Sequence, residues 1–141
     1  MRNIFWSMTL VVACLFGAAT AQAQKQVTTN NAIVPGEVWN DTDGNPINAH
    51  GGGILYHEGT YYWYGEYKKG KTILPEWATW ECYRTDVTGV SCYSSRDLLN
   101  WKFEGIVLPA VKDDQGHDLH TSKVLERPKV IYNPKTKKFV M

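Results

Sequence analysis

Two stretches of this chain, 76 residues apart, carry one pattern. Tyr56 and Tyr132 each close a short apolar run and stand just before a turn. The same offset lays Ile54-Leu55 on Val130-Ile131 and His50 on Glu126. A repeated strand and turn restricts the possible folds, because each copy must bury its apolar face against something. Between the two copies the residues predict further strands. Gly52 to Tyr56 is the first, His57-Glu58-Gly59 is a hairpin break, and Thr60 to Glu66 is the second. Gly89 to Ser95 and Trp101 to Leu108 are the third and fourth, and Asp97-Leu98-Leu99-Asn100 turns the chain between them. Leu125 to Tyr132 and Lys138 to Met141 are the fifth and sixth, joined by a turn at Asn133-Pro134-Lys135-Thr136. No segment shows a helical period. The chain reads as all-β: four antiparallel strands, then the start of another set. Repeated four-stranded units are propeller blades. The excess length of the repeat falls in two loops, Lys68 to Val87 and Pro109 to Lys123.

In a propeller the first strand of each blade lines the central axis, where backbones crowd. Gly51-Gly52-Gly53 fits that place, since glycine allows close approach and unusual φ. His50 and Glu126, at the start of the two inner strands, are then expected to face the central funnel. The second strand is aromatic at Tyr61, Tyr62, Trp63 and Tyr64. It does not alternate, so cover is expected on both of its faces. Trp39, Trp63 and Trp101 are read as blade core. Closing a ring takes more strands than this chain supplies, so it is read as the N-terminal part of a longer protein.

The first residues are not expected to join this fold. A basic start (Met1-Arg2-Asn3), an apolar stretch from Ile4 to Ala19 and Ala21-Gln22-Ala23 make a secretory signal peptide over 1–23. A lipobox-like run at Val11-Val12-Ala13-Cys14 is the weaker alternative. The predicted destination is periplasmic or extracellular, and there is no membrane anchor once the signal is cleaved. Residues 24–35 are a polar leader, expected to be disordered at least to Ala32, and 36–141 form the incomplete propeller domain. Removing the signal takes away one of the 15 basic residues (Arg2) and none of the 14 acidic ones, leaving the mature chain neutral. A neutral chain has no electrostatic footprint for nucleic acid or an acidic membrane. The small lysine groups, Lys68, Lys69, Lys71 and Lys135, Lys137, Lys138, read as solvated loop charges. Cys82 and Cys92 would meet an oxidising compartment, so a disulfide is allowed, and two unpaired thiols are the alternative.

Other motifs carry less. The spacing of Asp41, Asp43 and Asn45 hints at a calcium loop, but Pro46 and Gly52 stand where such a loop wants glycine and glutamate. An Asx-type turn is the preferred reading. His117 and His120 have ligand-like spacing with no other ligand near in sequence, and read as a loop pair without metal. Trp77 and Trp80 could stack on sugar rings or simply pack their loop.

NAHGGGILYHEGTYYWYGE, GVSCYSSRDLLNWKFEG and LERPKVIYNPKTKKFVM together resemble glycoside hydrolase family 43, and most of all its exo-β-1,3-galactanase and galactosidase branch. The resemblance runs from about Gly36 to Met141. It implies a five-bladed β-propeller that hydrolyses a terminal sugar, β-galactosyl in that branch, with inversion. Such a reaction needs one group to protonate the leaving oxygen and another to direct water. Glu126, of the Glu-Arg-Pro-Lys motif, is the catalytic candidate, implied to hold substrate and tune the general acid. Glu66 looks like a substrate-binding carboxylate, with Arg127 and His50 beside the substrate. Each has a plainer reading: Glu66 as a strand end, Glu126 as a salt-bridge partner of Arg127 or Lys129, His50 as a backbone partner. Most of the family carries a general-base Asp where this chain has Asn48-Ala49-His50. The galactanase-like branch also lacks it, so the base is unassigned. The general acid is implied to lie beyond Met141, which leaves this chain alone inactive. No cofactor is implied, a central structural calcium ion is left open, and the partner is an oligo- or polysaccharide. A non-catalytic carbohydrate-binding propeller is the alternative function.

Overall fold

The computed structural model describes residues 27–70, 72–73, 84–86 and 88–141. The signal segment, Cys14, Lys71, Trp77, Trp80 and Cys82 lie outside the described residues. Among the described residues the strands are β1 (His50–His57), β2 (Thr60–Glu66), β3 (Thr72–Ile73), β4 (Arg84–Thr85), β5 (Gly89–Ser95), β6 (Lys102–Pro109), β7 (Ile131–Asn133) and β8 (Lys138–Val140). There is no helix among the described residues.

One four-stranded antiparallel sheet, in the order β1-β2-β5-β6, dominates. Its order is the chain order, as the sequence predicts. β1 and β2 are joined by a two-residue turn, with Glu58 at φ 47° and Gly59 at φ 80°. Positive φ at both central positions matches the right-handed twist of a hairpin. The β5–β6 turn is held by Asp97, whose Oδ1 accepts the N–H groups of Leu99 and Asn100 while Oδ2 accepts the Asn100 amide. Ser95 Oγ also donates to Asp97 Oδ1. These donors, Asn100 foremost, hold the Asp97 carboxyl well below the usual carboxylate range.

The core lies on one face of this sheet. Tyr93 and Trp101 are buried there with Ala49, and Trp39, Ile47, Tyr61, Trp63 and Phe103 pack around them. Trp63 meets Trp39, Tyr93 and Trp101 at ring separations of 5.8, 6.5 and 5.3 Å. The three tryptophans therefore meet in the core of this sheet. The segment before β1 covers this face and is tied to the β5–β6 turn. Trp39 Nε1 donates to the Leu99 carbonyl at 3.0 Å. The Asn30 N–H donates to Asn100 Oδ1 at 2.7 Å and its side-chain amide donates to the Asn40 carbonyl at 2.9 Å. The leader is thus anchored at Asn30, where the polar composition predicted disorder, because its amide groups find partners in the two turns. Asp41 forms the Asx turn, accepting the N–H groups of Asp43 and Asn45 at 2.9 Å each.

The other face carries Tyr62, Tyr64, Cys92 and Ser94, which with Lys102 and Glu104 line an open cleft of about 630 Å³. The aromatic second strand is only partly covered along most of its length, less than its run of aromatics predicts. Cys92 is a buried free thiol, and burial pushes it up from its ordinary pKa. Burial likewise raises the Tyr64 phenol to about 12.

β7 and β8 form a second, two-stranded hairpin. Its anchor is His57 at the end of β1, whose ring lies 4.4 Å from Tyr132 and 5.0 Å from Phe139. The fifth strand is shorter than predicted. Residues 125–130 are irregular, and the strand begins only at Ile131. Two features explain this: Pro128 has no N–H for a ladder, and Arg127 sits at φ 50°, outside the strand region. Within the long insertion after β2, β3 and β4 pair as a short antiparallel ladder.

Candidate functional site

The site candidates meet where β1 begins, β2 ends and the 126–129 segment passes. β2 runs into Glu66, which lies opposite His50 in register. Glu66 is 3 % exposed, a degree of burial that a charged carboxylate tolerates only with partners. Its Oε1 accepts the Arg127 backbone N–H at 2.9 Å. Its Oε2 is ion-paired with Lys68 Nζ at 2.8 Å and accepts no further hydrogen bond. One oxygen is therefore spent on the fold. The other is a buried acceptor paired with the Lys68 charge, with lone-pair capacity beyond that one contact.

Lys68 corrects the sequence reading, which took it for a solvated loop charge. Its backbone N–H donates to Asn48 Oδ1 at 2.9 Å, which turns the side chain back onto Glu66. Asn48 is itself tied in through its backbone. Its N–H reaches the Tyr93 hydroxyl and its carbonyl accepts from Ser91 Oγ at 2.7 Å. The residue standing near the expected general base thus has a bracing role.

The glycines answer to the crowding here. Between His50 and Gly53 the register of β1 against β2 shifts, a bulge. Gly51 sits at φ 57°, and a Cβ there would meet Glu66 Oε1 at 3.0 Å. A Cβ on Gly52 would overlap the Tyr64 carbonyl, and one on Gly53 would come within 2.6 Å of Lys129 Cδ. The 76-residue offset is visible in this geometry. Gly51 and Arg127 are equivalent in the repeat, and both have left-handed backbones. Gly53 and Lys129 are equivalent too, and they pack on each other.

His50 is exposed and borders a cleft of about 320 Å³ formed with Val38, Trp39, Ile47, Ala49 and Trp63. Glu126 and Arg127 are exposed. The structure thus brings Glu66 and Arg127 into direct contact, with His50 paired across from Glu66 and Glu126 next in chain to Arg127. The sequence analysis missed Lys68 as part of this seam and gave Lys129 only as a salt-bridge partner of Glu126, whereas its ammonium serves the Gly51 and Gly52 carbonyls. Lys68 had a signal, its place two residues after the strand-end carboxylate. His117 and His120 lie apart: His117 Nδ1 accepts the Leu119 N–H, and the His120 ring pairs with Ser122 and the Lys112 carbonyl. No group of three His, Cys, Asp or Glu arranged for a metal occurs among the described residues.

Comparison with solved structures decides the family. A family 43 β-1,3-galactosidase solved with galactodeoxynojirimycin is 53 % identical over 76 % of this chain, with a TM-score of 0.61. Over these residues the chain belongs to glycoside hydrolase family 43. An exo-β-1,3-galactanase from Phanerochaete chrysosporium, solved with galactose, is 40 % identical over 76 % of the chain with a TM-score of 0.60. One from Clostridium thermocellum is 43 % identical over 76 % with a TM-score of 0.57. The chain spans only 28 %, 22 % and 20 % of the length of these three proteins. No family model and no curated protein matches it.

Proposed function

We propose that this chain is part of a secreted family 43 glycoside hydrolase that removes terminal β-galactosyl residues with inversion, on a five-bladed β-propeller. The observation that carries the reading is Glu66. A buried carboxylate keeps one oxygen, ion-paired with Lys68, with acceptor capacity to spare at the seam where Arg127 arrives and Glu126 stands exposed. A buried acceptor with spare capacity is suited to sugar hydroxyls, which regain there the hydrogen bonds lost from water. The related galactosidase and galactanase, solved with a galactose-like inhibitor and with galactose, support a galactosyl ligand.

In this reading Glu66 and Arg127 bind hydroxyls of the terminal sugar, with His50 beside them. Glu126 holds substrate and tunes the proton donor. That donor protonates the leaving oxygen while water attacks from the opposite face of the ring. A further blade supplies the donor, and no residue of this chain is assigned as the base. The propeller reading draws support from the equivalence of Gly51 with Arg127 and Gly53 with Lys129. Repeat-related positions lie side by side, as inner strands do around an axis. Seating further strands of the second blade on Tyr62, Tyr64 and Cys92 would cover the open cleft.

The test is galactose release from β-1,3-galactooligosaccharides by the protein as its host secretes it. Glu126→Gln is expected to lower turnover by about a hundredfold or more, the loss seen when one group that stabilises the transition state is removed. Unchanged turnover removes Glu126 from the site. A carbohydrate-binding protein on the same scaffold is the second reading, favoured by Asn48 near the expected base, where its N–H and Oδ1 serve to brace the fold. Galactose affinity with no release from galactan, arabinan or xylan would select it.

A further inference from the structure

Lys129 has a job that neither sugar binding nor catalysis explains. Its Nζ donates to two successive backbone carbonyls, Gly51 at 3.0 Å and Gly52 at 2.7 Å. Those carbonyls belong to the bulge, where Gly51 and Gly52 have no register partners in β2. A bulge disturbs the ladder locally, and an ammonium with three donors can serve two acceptors at once. The stem of Lys129 lies over Gly53, in space that a Cβ would fill. Two residues upstream, the Arg127 N–H reaches Glu66 Oε1, and the Arg127 backbone lies against Gly51. The contacts alternate along the seam: carboxylate to amide, glycine to backbone, ammonium to carbonyls, stem to glycine. Arg127 holds a left-handed backbone that an L-residue rarely adopts, so something must keep it there.

We propose that Lys129 is a positioning residue that lashes the 126–129 segment to the glycine bulge of β1. It fixes the Arg127 N–H on Glu66 and so sets where Glu126 and the Glu66 carboxylate stand. Lys129 acts through the backbone and touches no reacting atom. The identity of the site it positions rests on the function proposed above; the contact itself does not.

The test is amide hydrogen exchange of the chain followed by NMR. Lys129→Met keeps the stem and removes the donors. It is expected to speed exchange of the Arg127 amide about tenfold, the worth of a lost charge-assisted hydrogen bond. The amides of Cys92 and Tyr93 in β5 should keep their wild-type rates. Lys129→Arg, which restores donors, is expected to bring Arg127 back toward wild type. An unchanged Arg127 rate in Lys129→Met overturns the proposal, as does equal acceleration throughout β5, which would make Lys129 a general stabiliser. Should Lys129→Met fail to fold, Gly53→Ala carries the test, since its methyl crowds the lysine stem and leaves the charge. Acceleration confined to Arg127 then supports the proposal, and an unchanged rate overturns it. If the secreted wild-type protein neither binds nor releases galactose, the functional reading fails while the exchange result still decides the role of Lys129.

Discussion

β1–β2 and β7–β8 are hairpins built from the same repeat, with Tyr56 and Tyr132 in matching places, yet their surroundings differ sharply. The first continues into β5 and β6 and is covered by the segment before β1. Val90 and Trp101, reached through it, are 0 % and 1 % exposed. The second rests on little beyond the His57 ring, and Ile131, Phe139 and Val140 are more than half exposed. A repeat can dictate a hairpin, but burial comes from neighbours, and an isolated two-stranded hairpin is marginal in water. The candidate site lies on the seam between the two regions. Its Glu66 belongs to the buried unit, while Glu126 and Arg127 belong to the exposed approach to the second.

If the four-stranded unit holds the described fold together, Trp101→Ala is expected to have the largest effect. Truncating a buried tryptophan costs about 3–5 kcal/mol, which a denaturant midpoint would report. A loss below about 1 kcal/mol would break the contrast between the regions. Gly65→Ala should come next. A Cβ there would overlap the Ala49 backbone, and the forced shift of β2 from the segment before β1 is expected to cost about 1–3 kcal/mol.

The β5–β6 turn sharpens the comparison through pH. The Asp97 carboxyl is held below its unfolded value, near 3.9 for a free aspartate, by Asn100 and the neighbouring donors. Its contribution is therefore present above that value and is lost as pH falls through the acid range. Asp97→Ala is expected to cost about 1 kcal/mol at neutral pH, water screening this exposed turn. The difference from wild type should shrink in acid. A difference that grew as pH fell would reverse the sign of this account. Phe139→Ala should matter least, within about 0.5 kcal/mol for the main sheet, as for a surface substitution. A large loss would show that the second hairpin supports the first.

Much of this was legible beforehand because it depends on local chemistry. Glu58-Gly59 supplies the positive φ of a tight hairpin. Asp41 and Asp97 satisfy backbone donors a few residues away. Turn residues bounded β2 and β5 as observed. What escaped depends on contacts across long stretches of chain. Leu125 to Tyr132 reads as a continuous strand until the Arg127 N–H is seen to serve Glu66 in place of a ladder. Lys68 reads as a solvent charge until Asn48 is seen to turn it inward. Asn30 reads as disordered leader until the β5–β6 turn offers it partners. For the site, residue type and motif picked out Glu66, Glu126, Arg127 and His50 without their division of labour.

By itself, the sequence determined the all-β character, the repeat and the order of the four strands, since period, turn residues and aromatic runs act over a few neighbours. It also determined that three glycines stand at the start of the first strand. Only the tertiary structure decided why. The bulge, the Glu66 carboxylate and the Lys129 stem converge there from positions up to 78 residues apart in the chain. A close approach of that kind is set by packing, which no local pattern encodes.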